Sequence, residues 1–416
     1  MPSTSTTRAS TASVSGAGAH RALAVLCLTE VTSWGVLFYA FPVLAPEIAA
    51  GTGWPAAAVM AALSAGQLVA ALVGIPVGRW LDRHGPRLPM TAGALLGVVA
   101  LLGVASAQNL VWFFAAWLVA GVAMGAVLYP PAFAALTRWY GQRLVFALTV
   151  LTLAAGLAST VFAPLTAALA GWLGWRGSYL VLAGILAVIT IPGHWFGLDL
   201  PWPQRQASGQ RQPGGDPASV ARGPAFILLT IALSIAAFAT FAALINLVPV
   251  LVERGAGLGT AATALGLGGA GQLLGRIGYA PLTRRTGVRS RTALILLAIA
   301  ATTTLLGVLT PVPALLAAAV LAGTARGVFT LLHATAVSDR WGTAHYGRLT
   351  GLLSAPVTIA TALAPFAGSA LATLLGSYAM SFLALGAMAA FAGALSLASI
   401  PPGVEHRRDS WQALPR

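Results

Sequence analysis

The stretch "AGTARGVFTLLHATAVSDRW", residues 322–341, repeats the pattern of "AGVAMGAVLYPPAFAALTRW", residues 120–139. The two stretches align without a gap at an offset of 202 residues, and eight of their twenty positions are identical. The identities include both glycines of a GxxxG pair and the closing Arg-Trp. Similar offsets relate "YAFPVL" (39–44) to "LVPVL" (247–251), and "FAPLTAAL" (162–169) to "LAPFAGSAL" (363–371). The chain therefore contains two copies of one unit.

The composition indicates that both copies lie in a membrane. Of 416 residues, 58% are hydrophobic and only 8% are charged, and the mean hydropathy is +0.84. About 20 apolar residues are enough to cross the hydrocarbon core as a helix. We predict an all-α polytopic membrane protein with twelve transmembrane helices in two six-helix bundles. The twelve predicted spans are 21–45, 57–80, 88–107, 111–137, 144–171, 177–199, 224–252, 260–280, 291–310, 313–338, 348–375 and 377–400.

Polar segments divide the chain into five parts. The start is polar and low in complexity, and residues 201–223 are rich in Pro, Gly and Gln, which suits a flexible linker. The predicted parts are a disordered arm (1–20), a first bundle (21–200), a central linker (201–223), a second bundle (224–400) and a tail (401–416).

The arginines predict the orientation. The chain has no lysine, and nineteen of its 23 arginines fall on one side of the predicted spans. Only Arg176 and Arg254 fall on the other side, while Arg276 and Arg326 lie within spans. The positive-inside rule makes the arginine-rich side cytoplasmic, so both termini, the linker and the tail are expected there. The formal charge of +14 therefore reflects topology, and no nucleic-acid partner is expected. A Lys-free chain rich in Ala, Gly, Arg and Pro suggests a bacterial inner membrane.

The duplication favours a carrier. Two repeats related by an axis along the membrane normal place a substrate site between them, and the bundles rock about it. A membrane enzyme or sensor has no need of this arrangement. We find no phosphate-binding glycine loop, no metal-ligand spacing and no catalytic triad among the one histidine and one acid that we assign to span interiors. We therefore expect no enzyme activity, no cofactor and no bound metal.

A short motif joins spans 2 and 3. The loop "GRWLDRHGPR", residues 78–87, contains Gly78, Asp82, Arg83, Gly85 and Arg87. This pattern resembles the loop signature of the major facilitator superfamily, and the twelve spans, central linker and duplication agree with that family. The resemblance implies that these five residues form a gate motif. We expect Asp82 to pair with an arginine or to cap a helix end across the bundle interface.

Spans 1 and 8 narrow the resemblance. "SWGVLFYAFPV" (33–43) and "GQLLGRIGYAPL" (271–282) resemble bacterial members of the monocarboxylate-porter type, in which Arg276 matches the family's substrate-binding arginine. Two residues depart from the pattern, because Val43 replaces a lysine and Gln272 replaces an acid. A second family, the drug:proton antiporters, has a glycine pattern next to a proline in span 5. This chain has the proline, Pro164, but lacks the glycine pattern, which makes that resemblance weaker.

Charged residues inside spans mark candidate functional positions, because an ionised side chain in hydrocarbon costs about 3 kcal/mol. Glu30 lies nine residues after Arg21, which at 1.5 Å per residue is about 13 Å deep. Arg326 lies at a comparable depth in span 10. The resemblance puts spans 1 and 10 on a central cavity, so we expect Glu30 and Arg326 to meet there. Arg326 is predicted to bind substrate and Glu30 to couple transport to protons.

Four further side chains complete the predicted substrate-binding set. His333 shares a helix face with Arg326, and Arg276 lies a turn or two from the end of span 8. Tyr39 and Asn246 occupy equivalent positions in spans 1 and 7. Simpler interpretations remain open. Glu30 and Arg326 would then form a structural pair, Arg276 would extend to the membrane surface, His333 would be a packed side chain, and the GxxxG glycines would serve close packing.

The predicted function is secondary active transport of a small organic anion, in particular a carboxylate, by alternating access. The predicted partners are a small-molecule substrate, the lipid bilayer and protons, and the protein is expected to be monomeric. The alternative is an efflux carrier for a drug-like or toxic metabolite.

Overall fold

The computed structural model describes residues 16–202, 217–342 and 346–400, and throughout these ranges the chain forms helices and short connections. Every predicted span corresponds to one helix or to two or three consecutive helical segments. The helical segments of the first copy are Gly16–Trp34, Gly35–Tyr39, Ala40–Thr52, Ala56–His84, Arg87–Ala105, Leu110–Val127, Tyr129–Tyr140, Leu144–Gly156 and Ala158–Gly197. Those of the second copy are Pro224–Ile245, Leu247–Glu253, Leu258–Arg285, Val288–Val308, Val312–Thr335, Ser338–Trp341, Tyr346–Leu375 and Tyr378–Ser396.

Length and hydropathy alone identify ten membrane-crossing helices within the described ranges, and two features account for the difference from twelve. Spans 5 and 6 form one continuous helical segment that turns at Gly174, whose φ of 65° lies in the left-handed region open to glycine. Span 8, Leu258–Arg285, carries three arginines and many glycines, which lower its hydropathy. The twelve-helix fold is thus present.

The predicted boundaries differ from the structure in two places. The first helix begins at Gly16, so residues 16–20 of the predicted arm are helical, because nothing after Gly16 breaks the helix before span 1. Part of the predicted linker, Pro217–Arg222, also forms a short helix. Residues 1–15, 203–216 and 401–416, the remainder of the predicted arm, linker and tail, lie outside the described residues.

The duplication is visible in the helix crossings. A Cβ atom on Gly121 of span 4 would overlap the backbone of Gly66 in span 2, and one on Gly323 of span 10 would overlap Gly268 in span 8. Both crossings involve residues that are related by the 202-residue offset. The GxxxG glycines therefore serve close packing, as in other membrane helix pairs.

The packing of the two bundles differs between the ends of the molecule. We call the end with the arginines of residues 83–87, 138–143 and 284–291 the basic end. At the opposite end a single hydrophobic core joins both copies, running from residues 36–48 of span 1 to residues 243–251 of span 7. Towards the basic end the core divides into one cluster per bundle. The apolar core is therefore shared by both bundles at the opposite end and divided between them towards the basic end.

Candidate functional site

Helix irregularities lie at the centre of the first bundle. Span 1 changes to π-helical geometry over Gly35–Tyr39, and Gly35 there packs directly on Phe162 of span 5. Span 4 breaks at Leu128, where the backbone is extended before Tyr129-Pro130-Pro131 restarts the helix. Such breaks occur in membrane helices where side chains line a site.

Five aromatic side chains surround these irregularities, and we call them the aromatic wall: Trp34, Phe38, Tyr39, Tyr129 and Phe133. The Trp34 ring lies 5.0 Å from Tyr129, 5.3 Å from Phe38 and 6.4 Å from Tyr39, measured between centroids. Tyr129 stacks on Phe133 at 5.0 Å with an interplanar angle of 19°. The first bundle thus presents a continuous set of rings.

The second bundle contributes the cations. Arg326 is buried and donates a hydrogen bond from its guanidinium to Oε1 of Gln272 in span 8, at 3.1 Å. The close approach of Gly327 to the Gln272 backbone holds spans 8 and 10 together at this level. Gln272 therefore orients Arg326, a role that the sequence analysis did not assign to it.

Arg276 bridges the two bundles. Its guanidinium donates to the backbone carbonyl of Thr152 in span 5, and the side chain is only 9% exposed. The interpretation that Arg276 extends to the membrane surface is therefore wrong for this conformation. The same helix pair is joined by a hydrogen bond from the Thr160 hydroxyl to the Gly266 carbonyl, at 2.9 Å. Spans 2 and 11 are joined by a bond from the Phe366 N–H to the Ser64 hydroxyl, at 3.1 Å.

Glu30 is fully buried, and neither carboxylate oxygen has a hydrogen-bond partner. The Trp34 indole N–H, one turn further along span 1, lies near the carboxyl group but outside hydrogen-bond geometry. The expected pair between Glu30 and Arg326 is not formed in this conformation, because Arg326 is held by Gln272. A structural pair of these two residues is therefore not what stabilises the described state.

The charged and aromatic groups nevertheless belong to one site. Tyr129 interacts electrostatically with Arg276, Glu30 and Tyr39. Arg326 in turn interacts with Tyr39, Tyr129 and Arg276. The central site thus combines side chains of spans 1 and 4 from the first copy with side chains of spans 8 and 10 from the second.

Asn246 and His333 are tied to their own bundle. Asn246 lies at a break in span 7, donates to the Ala242 carbonyl at 2.9 Å and leaves its side-chain oxygen buried without a partner. Nε2 of His333 lies 3.3 Å from the Ser354 hydroxyl of span 11. The structure does not bring either residue into contact with the two arginines.

One histidine was assigned to the span interiors from the sequence, but the structure also places His194 of span 6 there. His194 is fully buried, with Nδ1 at 3.1 Å from the Met90 carbonyl and Nε2 without a partner. The described residues contain no group of three His, Cys, Asp or Glu side chains that could hold a metal ion.

The motif of residues 78–87, which connects spans 2 and 3, also contacts span 4 and the residues after span 6. Asp82 forms an ion pair with Arg138 of span 4, and the Trp202 indole donates to the Asp82 carbonyl at 3.1 Å. Arg87 pairs with Asp199 after span 6, at 2.8 Å, and Gly85 adopts a φ of 81°. Asp82 thus pairs with an arginine as expected, but within one bundle and not across the bundle interface.

Two residues of the motif contribute less. Arg83 is exposed, and a Cβ atom on Gly78 would meet no other atom within 4 Å, so neither residue connects the motif to another helix in this conformation.

Sequence reasoning missed Tyr129, Trp34 and Gln272. The Tyr-Pro-Pro sequence within span 4 was a signal for Tyr129, because a proline pair in a membrane helix frees backbone groups and redirects the chain. Trp34 and Gln272 stood in the motifs quoted above, but as neutral residues they gave no charge signal.

Comparisons with known proteins agree on the fold. The family model of the Major Facilitator Superfamily matches residues 26–306 and 260–415. Monocarboxylate transporter 13 of Bos taurus is 27% identical over 249 residues, which is 59% of this chain and 55% of that protein. Monocarboxylate transporter 11 of Homo sapiens is 28% identical over 274 residues, 60% of this chain and 54% of that protein. The chain spans about half the length of these curated relatives.

Solved structures are similar over nearly the whole chain. A bacterial homolog of the human lysosomal transporter Spinster, in an inward-facing and unoccupied conformation, superposes with a TM-score of 0.72 at 16% identity, covering 92% of this chain and 98% of that one. The occupied form of that homolog gives a TM-score of 0.70 at 15% identity, covering 91% and 96%.

Proposed function

The chain belongs to the Major Facilitator Superfamily and is a membrane transporter, and we propose that its substrate is a small organic anion, in particular a carboxylate, carried across a bacterial inner membrane. The observation that supports this most strongly is the burial of two arginines, Arg276 and Arg326, in one site between the bundles. Intramembrane charges usually mark substrate or ion pathways.

The charge balance of the site favours an anion. Arg276 and Arg326 bring two positive charges, and among the described residues Glu30 is the one acid found to interact with the same site. A guanidinium offers parallel N–H groups that match the two oxygens of a carboxylate. Because Arg326 uses one amino group for Gln272, the rest of its donors remain for a ligand.

Alternating access fits the packing of the bundles. They are joined in one core at the opposite end and divided towards the basic end, so a rocking motion that closes the basic end would carry the site from one side to the other. We place the basic end in the cytoplasm, following the arginine distribution. A Gln210→Cys label in a Cys27→Ala background tests this: an impermeant reagent should reach it only after the cells are broken.

We propose that Glu30 couples transport to protons. An unpaired carboxylate in hydrocarbon is costly when ionised. Its free energy falls either when it takes up a proton or when it pairs with a cation. Glu30 has no partner while Arg326 is held by Gln272. A conformational change that brings Glu30 towards the arginines would release its proton, and this step would link proton movement to anion movement.

The alternative, efflux of a drug-like compound, is favoured by one observation, the aromatic wall. Planar drugs bind such rings, but the two arginines disfavour the cationic ones. Resistance of cells to a panel of neutral and cationic toxic compounds, with no uptake of carboxylates, would support the alternative.

The test of the proposed function uses Arg326 variants in proteoliposomes. We expect labelled carboxylates to be transported by the wild type, to be bound poorly by Arg326→Lys because lysine lacks the forked geometry, and not to be bound by Arg326→Ala. Arg285→Ala, which removes an exposed arginine at the basic end, is the matched control and should transport normally. Equal carboxylate transport by Arg326→Ala and wild type would refute the proposal.

A further inference from the structure

Resting on the proposed function, we infer that the substrate is an aromatic carboxylate, whose ring is held by the aromatic wall of the first copy while its carboxylate is held by the arginines of the second. An aromatic carboxylate is more specific than the small organic anion of the proposed function. Its two ends are assigned to different bundles, and Trp34 and Tyr129 are identified as specificity-determining residues.

The rings are placed for binding a ligand and are only partly covered by protein. Trp34, Tyr129 and Phe133 are each partly exposed, although Trp34 lies in the middle of span 1. Trp34 and Tyr129 are 5.0 Å apart between centroids at an interplanar angle of 48°, so the two rings are tilted and do not stack face to face. The Trp34 indole N–H is buried without a partner, and it supplies one donor that the protein itself does not use.

The same rings lie beside the cations. Tyr129 lies within electrostatic range of Arg276, and Tyr39 within that of Arg326. A molecule that touches both the rings and the guanidinium groups must therefore carry its charge close to its apolar body. A carboxylate attached directly, or through one carbon, to an aromatic ring has this shape.

The second copy lacks four of the five rings. The 202-residue offset takes Tyr129 to Leu331, and the 207-residue offset that aligns Pro42 with Pro249 takes Tyr39 to Asn246. The same two offsets take Phe133 to Thr335 and Phe38 to Ile245, and only Trp34 aligns with another ring, that of Phe241. Rings that served only the packing of the repeated scaffold would be expected in both copies. The restriction of the other four rings to the bundle that faces the arginines points to the ligand.

The size of the effect follows from aromatic pairing. A ring pair contributes about 0.5–1.5 kcal/mol beyond its buried area, which corresponds to roughly a 2- to 12-fold preference for each ring contacted. Contact with both Trp34 and Tyr129 gives an expected preference of about 10-fold or more over a saturated ring of the same carbon skeleton.

The experiment compares acids that differ only in the ring. Purified protein in proteoliposomes is assayed with labelled benzoate, with benzoate, cyclohexanecarboxylate and pyruvate as unlabelled competitors. We expect benzoate to compete at about 10-fold lower concentration than cyclohexanecarboxylate. Trp34→Leu and Tyr129→Leu should each bring this ratio towards one, Tyr129→Phe should preserve it, and Trp172→Leu, which changes an 86% exposed side chain, should leave it unchanged.

The outcomes separate this inference from the proposed function. Equal competition by benzoate and cyclohexanecarboxylate, or an unaltered ratio in Tyr129→Leu, overturns the aromatic assignment, and Arg326-dependent uptake of labelled pyruvate would then leave the organic-anion proposal standing. If no carboxylate is transported or competes, both are wrong. If Trp34→Leu does not fold, the comparison of Tyr129→Leu with Tyr129→Phe is sufficient to test the aromatic assignment.

Discussion

The two copies share a scaffold and differ in chemistry. Gly66 and Gly121 of the first copy cross as closely as Gly268 and Gly323 of the second. The positions around these crossings differ. Met124 of the first copy is equivalent to Arg326 of the second, and Ala70 is equivalent to Gln272, the hydrogen-bond partner of Arg326. The repeat therefore fixes the backbone of both bundles, while the side chains at equivalent positions place both intramembrane arginines in the second bundle and most of the rings of the aromatic wall in the first.

The basic ends of the bundles show the same contrast. In the first copy the Asp82–Arg138 pair lies at the surface, with 51% of the Asp82 side chain exposed. The 202-residue offset takes Asp82 to Arg284, so the second copy cannot form the equivalent pair. It has a different one, Arg291 with Asp339, in which Arg291 is 3% exposed. Breaking an ion pair at the surface costs less than breaking a buried one, because no buried charge is left without a partner.

The largest effect is expected at Glu30, whose counterpart at the 207-residue offset is Ala237. Glu30→Gln removes the titrating group and keeps the shape, so exchange of substrate across the membrane should continue. Accumulation driven by a pH gradient should fall to an inside-to-outside ratio of about one. Uptake in proteoliposomes with and without an imposed gradient measures both. Gradient-driven accumulation by Glu30→Gln at the wild-type level would show that Glu30 does not carry the proton.

A smaller effect is expected at Asp82, because its ion pair is exposed and lies in a single bundle. Asp82→Asn should slow turnover by roughly 3- to 10-fold, about 0.7–1.4 kcal/mol in the activation free energy. Substrate affinity should change little, since Asp82 lies at the basic end and not at the arginines. Initial rates and binding measured on the same purified variant separate the two quantities. A normal turnover rate for Asp82→Asn would contradict a gating role for Asp82 and would leave the motif only a role in setting topology.

The smallest effect concerns the two arginines on the opposite side. Arg254 donates to the carbonyls of Gly307 and Leu309 at the end of span 9, and Arg176 donates to the Ala107 carbonyl after span 3. Each copy thus satisfies the free carbonyl groups at the end of its third helix with one arginine. These bonds give a structural reason for the two exceptions to the arginine asymmetry.

Replacing these arginines should lower stability and leave substrate affinity unchanged. We expect Arg254→Leu to reduce Tm by about 1–3 °C and Arg176→Leu, which loses one bond instead of two, by less. Arg285→Leu at the basic end is the control. Thermal unfolding in detergent checks the order of the three variants, and a larger loss for Arg285→Leu than for Arg254→Leu would contradict the assignment.

Much of the fold followed from the sequence, because apolar length, turn residues and a gap-free repeat are local signals. The 202-residue offset correctly related the two helix crossings, and the two intramembrane arginines were recognised from their cost in hydrocarbon. The side-chain partners were less accessible. Span 1 was treated as a regular helix, but the π-helical segment Gly35–Tyr39 changes which residues share a face after Trp34. The expected contact between Glu30 and Arg326 was based on their similar depth and on the resemblance that puts spans 1 and 10 on one cavity, and neither determines which polar group is nearest. Gln272 satisfies the arginine, and only the three-dimensional packing of spans 8 and 10 shows this.

The central claim is that the charge of Arg326 binds the substrate anion. The most direct test combines Arg326→Met, which copies the first-copy residue Met124, with Glu30→Gln, so that this acid and this cation are neutralised together and the variant is expected to fold. We predict that the double variant unfolds near the wild-type Tm and transports no carboxylate above the rate of empty liposomes. Transport by the double variant at the wild-type rate would show that Arg326 and Glu30 are scaffolding, and would contradict the account.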